Sequence, residues 1–572
     1  MPIRVVTGLC ILILATQPLC IAAGGGDDVA VGKKGMVVSV DEIASRVGID
    51  ILKKGGNAVD AAVAVGFVLA VTFPAAGNIG GGGFMIIDFP DKTKPVALDF
   101  REKAPGKATP KMYLDGEGKY VEGSSLEGYL AVGVPGTVKG FEMAMKKYGT
   151  LKWKDVLSPA IALAENGFPL TKKRAESFNG VRKYFVKATP GFRRLFTKPD
   201  GSDFKEGDLF KQPALAQSLK LIGEQGSDAF YVGPIAELIA KDMEKNGGLI
   251  TREDLKNYEA FERSPVIGTY RGYQIISMPP PSSGGTILIE MLNVLEGFEL
   301  GKMERYAPPT LQLIAETMKL AYFDRAKFLG DRDSVTIPVS RLTSKNHATE
   351  LRAAIIPGKA TPSAVLGKEI LTNAEAKETT HFSVIDKNRL AVATTYTLNG
   401  GFGAGVVAEG TGILLNNEMD DFNVIPGRTD DKGLIGTPPN LISPNKRMLS
   451  SMTPTVITKD GKVFMITGSP GGRTIINTVL NVIINVIDFR MPIQRAVDAA
   501  RMDHEWMPDV LSLELREIPG DVIEALRGMG YTISPASLSW DPGDAHSILI
   551  DPQTGLFQGA ADKRVEGSAV GY

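Results

Sequence analysis

The sequence predicts an α/β protein in which sheet lies between helical layers. Three observations carry that prediction. Residues 61–73 are apolar all round, as a helix buried on every side must be. Apolar or alternating runs at 84–89, 381–386, 390–397 and 463–467 read as strands. Helical stretches accompany strands in both halves of the chain, so neither type is confined to one end. A chain of 572 residues suffices for two or three ordinary domains or for one large layered domain.

Taken in order, residues 1–23 read as an export signal. Arg4 supplies the positive charge, 5–15 is an almost unbroken apolar run, and Ala22 and Ala23 offer a cleavage site before the glycines at 24–26. The run is shorter than the roughly 20 apolar residues a membrane anchor needs. Cys10 and Cys20 both lie inside this segment, so the exported chain has no thiol nucleophile, cysteine metal site or disulfide. After the signal, Ser39 and Glu42 have capping-box spacing ahead of the helical positions Ile43, Val47 and Ile51. Gly55 and Gly56 end that helix, and Asn57 with Asp60 opens the buried one. Glycines 80–83 then lead into the strand at 84–89. A nucleotide loop needs strand, glycines and helix in that order, and here the helix comes first, which excludes that reading.

Residues 105–260 read as largely helical with breaks at Pro135-Gly136 and Pro190-Gly191, and a Pro/Ser/Gly turn at 278–285 precedes an apolar helix at 287–295. From about Ser340 to Lys377 the pattern is aperiodic and reads as a mobile connector. Beyond it, Lys387-Asn388-Arg389 suits a short hairpin loop between two strands. The strand at 463–467, a glycine-rich turn and a strongly apolar helix at 475–487 follow. The balance of 64 Lys+Arg against 65 Asp+Glu gives a net charge of −1, so no global basic field favours nucleic acid or an anionic membrane.

The chemistry centres on Glu378-Thr379-Thr380-His381-Phe382-Ser383-Val384. This segment resembles the processing site of γ-glutamyltranspeptidases, members of the N-terminal nucleophile (Ntn) hydrolases. The resemblance implies that the precursor cuts itself between Glu378 and Thr379, into a large subunit (24–378) and a small subunit (379–572). Together these form one heterodimeric, four-layer αββα domain. The chemistry of such a cut is sound in itself. A threonine hydroxyl is a poor nucleophile until a base takes its proton. Cleavage exposes an α-amine with an unperturbed pKa near ~8, and that amine serves as the base on the same residue. His381 offers a rival Thr–His pairing, but two residues along a strand its ring need not reach back.

Hairpin register proposes a partner for Thr379. A three-residue loop places Thr397 opposite it and a two-residue loop places Tyr396 there. Residue type alone does not choose, because threonine suits any strand; the family resemblance favours Thr397. An oxyanion site is expected in Gly468-Ser469-Pro470-Gly471-Gly472, where a helix start gathers unbonded N–H groups. Gly471 and Gly472 match the family's oxyanion-hole glycines, and Arg473-Thr474 replaces the Lys-Ser/Thr of a phosphate loop.

Further matches imply a pocket for a free amino-acid head. Arg101 resembles the clamp on the substrate α-carboxylate, a role to which guanidinium geometry is suited. Ser450 and Ser451 match the serine pair on that carboxylate, and Asp421 matches the counter-charge to the α-ammonium. Asn399 and Glu418 complete the pocket. The stretch 426–436 has the length of the substrate-covering lid of bacterial relatives, with Lys432 where an aromatic gate often stands. The similarity runs from about residue 33 to Tyr572 and implies the following activity. A γ-glutamyl amide, glutathione or a related compound, is cleaved through an ester on Thr379, and the γ-glutamyl group passes to water or to amino acid or dipeptide acceptors. No cofactor and no metal are implied. The expected location is periplasmic or secreted, with no stable membrane span after signal removal. The alternatives are a related Ntn acylase, acting on cephalosporin side chains or poly-γ-glutamate, and an exported binding protein that never matures.

Overall fold

Two seven-stranded sheets lie face to face. In spatial order the first contains Ser568–Gly571, Gly35–Ser39, Glu378–Asp386, Ala391–Asn399, Gly82–Asp88, Val96–Phe100 and Phe261–Arg263. The second contains Ala30–Gly32, Phe557–Ala561, His546–Ile550, Lys462–Thr467, Thr455–Lys459, Tyr273–Ser277 and Val266–Tyr270. The computed structural model describes residues 29–91, 93–367, 372–373, 378–427, 434–435, 437–535 and 542–572. The expected export segment, with both cysteines, lies outside the described residues. Among the described residues no helix is long and apolar enough to cross a membrane.

The two-residue period of a strand divides each sheet into two buried faces. Met36, Val38, Phe84, Ile86, Ile385 and Ala393 of the first sheet meet Ile276, Val456, Ile466 and Ile548 of the second. Their neighbours Val37, Met85, Ile87, Phe382, Val384 and Val392 point the other way, into a helical layer that contains Ala58–Thr72. On the far side, Ile275, Ile457 and Met465 pack under the helices Gly284–Leu295, Pro308–Phe328 and Ile475–Ile487. The layer order is therefore αββα, the four-layer sandwich that the resemblance implies. Both sheets are covered on both faces, which is why their strands read as apolar runs rather than strict alternation.

Local signals act largely as the sequence predicts. Asn57 and Asp60 form a complete capping box, and every residue of Ala58–Thr72 is buried. The apolar helix over 475–487 has the expected bounds. Three expectations are corrected. Helix Glu42–Lys53 is capped by Asp41, whose carboxylate accepts the Ala44 N–H at 2.8 Å. Ser39 instead ends a strand, and its hydroxyl meets the Asp41 carbonyl and the Ser45 hydroxyl. Pro190 does not break a helix but begins one, Pro190–Leu195, capped by Thr189; proline suits a first helical position because its missing N–H has no partner there anyway. The segment expected to be a mobile connector from 340 to 377 carries the helices Val339–Leu342, Lys345–Ala354 and Ser363–Leu366. Its residues 368–371 and 374–377 lie outside the described residues.

Candidate active site

The hairpin that carries Thr379 turns through Lys387, Asn388 and Arg389. Its closing bond runs from the Asp386 N–H to the Leu390 carbonyl at 3.2 Å, and Arg389 takes a left-handed φ of 70°. This is the three-residue alternative. Register then holds from Ile385 opposite Ala391 to Thr380 opposite Tyr396, and slips between Thr380 and Glu378, which pairs with Asn399. Thr379 therefore sits at a β-bulge, a device that re-aims a side chain at the end of a ladder. Its hydroxyl donates to the Thr397 hydroxyl at 3.2 Å. The Asn399 N–H donates to that same Thr397 oxygen at 2.8 Å, and Asn78 Nδ2 donates to the Thr397 carbonyl at 2.8 Å.

The glycine turn comes from the second sheet. Strand Lys462–Thr467 leads through Gly468 and Ser469 to Gly471 (φ 129°) and Gly472 (φ 59°), both in the left-handed region that favours glycine. Gly471 caps and Gly472 opens a short 3₁₀ turn that runs directly into Ile475–Ile487. Their N–H groups have no acceptor inside that turn, because the first donors of a helix never do. The helix dipole makes this end positive. Gly472, at this positive end, lines the same cavity as Thr379.

Arg101 is wholly buried, the first residue after strand Val96–Phe100. One of its terminal nitrogens pairs with Glu418 and the other with Asp421, and Glu102 lies 3.5 Å away. Arg101 Nη2 also donates to the Leu449 carbonyl at 3.0 Å. Burial by itself depresses a guanidinium, but Glu418, Asp421 and Glu102 hold this one above its usual value. The same burial outweighs the pull of Arg101 on the carboxyls, pushing Glu418 up to about 8 and Glu102 up to about 7.

Ser450 and Ser451 are strapped to the turn beyond strand Tyr273–Ser277. The Ser283 N–H and hydroxyl each donate to the Ser450 carbonyl at 2.7 Å, and the Ser450 N–H donates to Pro281 at 3.0 Å. The Ser451 hydroxyl accepts from Arg325 Nη2 at 2.8 Å, while Arg325 Nε donates to Ser283 at 2.9 Å. Asn399 Nδ2 donates to the Asn417 carbonyl at 2.9 Å, which ties the partner strand of Thr379 to the acidic segment.

One small cavity is lined by Arg101, Thr379, Thr397, Asn399, Glu418, Asp421, Ser450, Ser451 and Gly472, with Met452 and Ile475. Of the expected catalytic and substrate-binding residues, Gly471 alone is not part of this lining. Larger clefts elsewhere, one walled by Ser264 and Asp333 and another by Arg194 and Lys211, contain none of these groups. His381 is fully buried, with Nδ1 on the Thr395 hydroxyl (2.8 Å) and Nε2 on the Ser383 hydroxyl (3.1 Å). Burial pushes its pKa well below the ordinary histidine range, so it stays neutral as a strut between the sheets. Lys432 and most of the expected lid lie outside the described residues.

Sequence reasoning missed Arg325 and Asn440. Asn440 Nδ2 donates to the Asp421 carbonyl at 2.6 Å and its Oδ1 accepts the Leu449 N–H at 2.9 Å, joining the segment that carries Asp421 to the one that carries Ser450. Neither residue carries a local signal: one is an arginine inside a 21-residue helix, the other an asparagine after two prolines.

Comparison with known proteins adds four findings. A sequence profile described as Gamma-glutamyltranspeptidase matches residues 44–572. The glutathione hydrolase proenzyme of Escherichia coli (strain K12) is 47% identical over 541 residues, covering 94% of this chain and 92% of that protein. Among solved structures, a cephalosporin acylase from Bacillus halodurans matches with a TM-score of 0.83 at 28% identity, over 98% of this chain and 99% of that one. Helicobacter pylori gamma-glutamyltranspeptidase matches with a TM-score of 0.56 at 48% identity, over 60% of this chain and 95% of that one.

Proposed function

This chain belongs to the gamma-glutamyltranspeptidase family, and from that premise we propose that it is a self-cleaving γ-glutamyltransferase and glutathione hydrolase whose nucleophile is Thr379. The observation that carries the reading is a single cavity holding a threonine hydroxyl, backbone donors at a helix start and a buried Arg–carboxylate cluster.

Maturation begins when Thr379 Oγ1 attacks the Glu378 carbonyl carbon. The peptide C–N bond breaks, an ester forms on Thr379 and the nitrogen leaves as its free α-amine. Water then hydrolyses the ester and leaves a carboxylate on Glu378. The new amine stays beside the hydroxyl it must deprotonate. Thr397 orients that hydroxyl through the contact at 3.2 Å.

In the next stage the donor's amino-acid head enters the cluster. Its carboxylate takes Arg101, Ser450 and Ser451, and its ammonium takes Asp421 and Glu418, with Asn399 alongside. A zwitterion suits this cluster because it exchanges each internal ion pair for one with the substrate, leaving neither buried charge unpaired. Thr379 Oγ1 attacks the γ-amide carbon while the α-amine takes its proton. The oxyanion settles on the N–H groups of Gly471 and Gly472, each such donor lowering the barrier by about 3–4 kcal/mol. Collapse breaks the amide bond, and the leaving amine departs with the proton. Water or an acceptor amine releases the γ-glutamyl ester by the same steps reversed. Residues 1–23 direct export to the periplasm or beyond, and the two cleavage products remain together as a heterodimer.

The chain's similarity to an acylase over nearly its whole length favours one second reading, hydrolysis of acyl amides without an α-ammonium. One comparison separates the two. Release of nitroaniline from γ-glutamyl, α-glutamyl and glutaryl anilides should be fast for the first alone. Equal rates on the glutaryl compound would favour the acylase and overturn the zwitterion clamp.

A further inference from the structure

Three helices covering the second sheet bring one ionisable side chain each to a common point, away from the cavity just described. Glu290 lies on Gly284–Leu295, Asp324 on Pro308–Phe328 and His347 on Lys345–Ala354. One potential ligand atom from each lies within 4.8 Å of the other two. All three residues are buried. His347 Nε2 is 2.6 Å from Asp324 Oδ2, and His347 Nδ1 is 3.2 Å from Glu350 Oε2. Glu290 has no such arrangement: it is 0% exposed, and neither carboxylate oxygen has a hydrogen-bond partner.

A carboxyl group with neither water nor partner is among the costlier things a protein interior can hold. The proposed reaction makes no use of it. Burial accordingly pushes Glu290 far above the usual carboxyl range. The surrounding charges are Arg341, which acts on both carboxyls, and Lys327, which acts on Asp324.

We propose that Glu290, Asp324 and His347 form a binding site for one divalent first-row transition-metal ion, with zinc as the probe. An imidazole with two carboxylates suits such an ion, whereas calcium and magnesium favour oxygen donors throughout. Two carboxylates balance its charge. Glu350 on Nδ1 is the second partner that a ligating histidine usually has, leaving Nε2 to face the ion. Nε2 and Asp324 Oδ2 need part by less than about 1 Å for both to reach a metal at roughly 2.0–2.2 Å. The site differs from the expectation of no metal drawn from the family resemblance. It clips three helices together, one residue from Arg325, which holds Ser283 and Ser451.

The test uses the full-length, tag-free protein, stripped with a chelator and titrated with zinc chloride. One equivalent is expected to bind and to raise the unfolding temperature. Glu290→Gln and His347→Gln are each expected to weaken binding by at least about tenfold to a hundredfold. Cobalt(II) bound to the wild-type protein gives a second readout that needs no variant. The visible spectrum of a four- or five-coordinate nitrogen–oxygen site is expected. No stoichiometric zinc, equal binding in either variant, or a weak hexa-aqua-like cobalt spectrum overturns the proposal.

Discussion

At Arg101 one guanidinium faces three buried carboxyl groups, Glu102, Glu418 and Asp421, and that imbalance sets how the pocket responds to pH. With Glu418 pushed up to about 8 and Glu102 up to about 7, these carboxyls hold protons near neutrality. For folding the sign is plain. A carboxyl raised in the folded state favours folding below its ordinary value of 4.5, and that contribution is lost as pH rises through about 7 to 8. For binding the sign reverses. An entering ammonium favours ionised carboxylates, so the donor must displace protons, and affinity grows with pH by up to about tenfold per unit for each proton released. KM for a γ-glutamyl anilide should therefore fall between about pH 6 and about pH 8. Glu418→Gln should bind more weakly with a flatter profile. Steady-state kinetics at constant ionic strength check this, and a flat wild-type profile, or an equally steep one in the variant, would contradict it.

At the scale of elements, the hairpin 378–399 positions Thr379, and it depends on a glycine in the neighbouring strand. Gly83 pairs with both Phe100 and Tyr396. A Cβ there would come within 2.5 Å of the Tyr396 Cα and Cβ and of the Thr395 carbonyl oxygen, mostly backbone that cannot swing aside. Gly83→Ala should thus cost about 1–3 kcal/mol, seen as a lower urea midpoint at unchanged slope. A midpoint within error of wild type would show that the strands tolerate separation. Much of this hairpin is legible in the sequence. The loop residues and the two apolar runs fix its ends, and counting outward from a three-residue loop reaches Thr397. The bulge at Thr379 is not legible, because a one-residue slip leaves no mark in residue type. The helix cap was misassigned for a similar reason: Ser39 and Asp41 are both capable caps, and sheet pairing, a long-range fact, claims Ser39. The helices within 339–366 leave little signal in the sequence because each is short and weakly periodic. They are stabilised by tertiary contacts such as His347 on Asp324 rather than by their own pattern.

Across the whole molecule, the first sheet alternates strands from the two sides of the proposed cut. Glu378–Asp386 and Ala391–Asn399 lie between Gly35–Ser39 and Gly82–Asp88, and Ser568–Gly571 closes the edge beyond Gly35–Ser39. Such interleaving would let the sandwich survive a backbone break at that point, because both fragments would stay hydrogen-bonded to each other along the sheet. The layered class was legible from apolar runs in both halves. The assignment of each strand to a sheet was not, since it follows from long-range pairing. The proposed activity depends on a cut in front of Thr379, which would make that residue a nucleophile. Intact-mass and N-terminal analysis of the purified wild-type protein and of Thr379→Ala measures that cut. Two fragments are expected from the wild type, the smaller beginning Thr379-Thr380-His381, and one uncut chain from the variant. A wild type that stays whole, a new terminus elsewhere, or cleavage at the same bond in Thr379→Ala would contradict it.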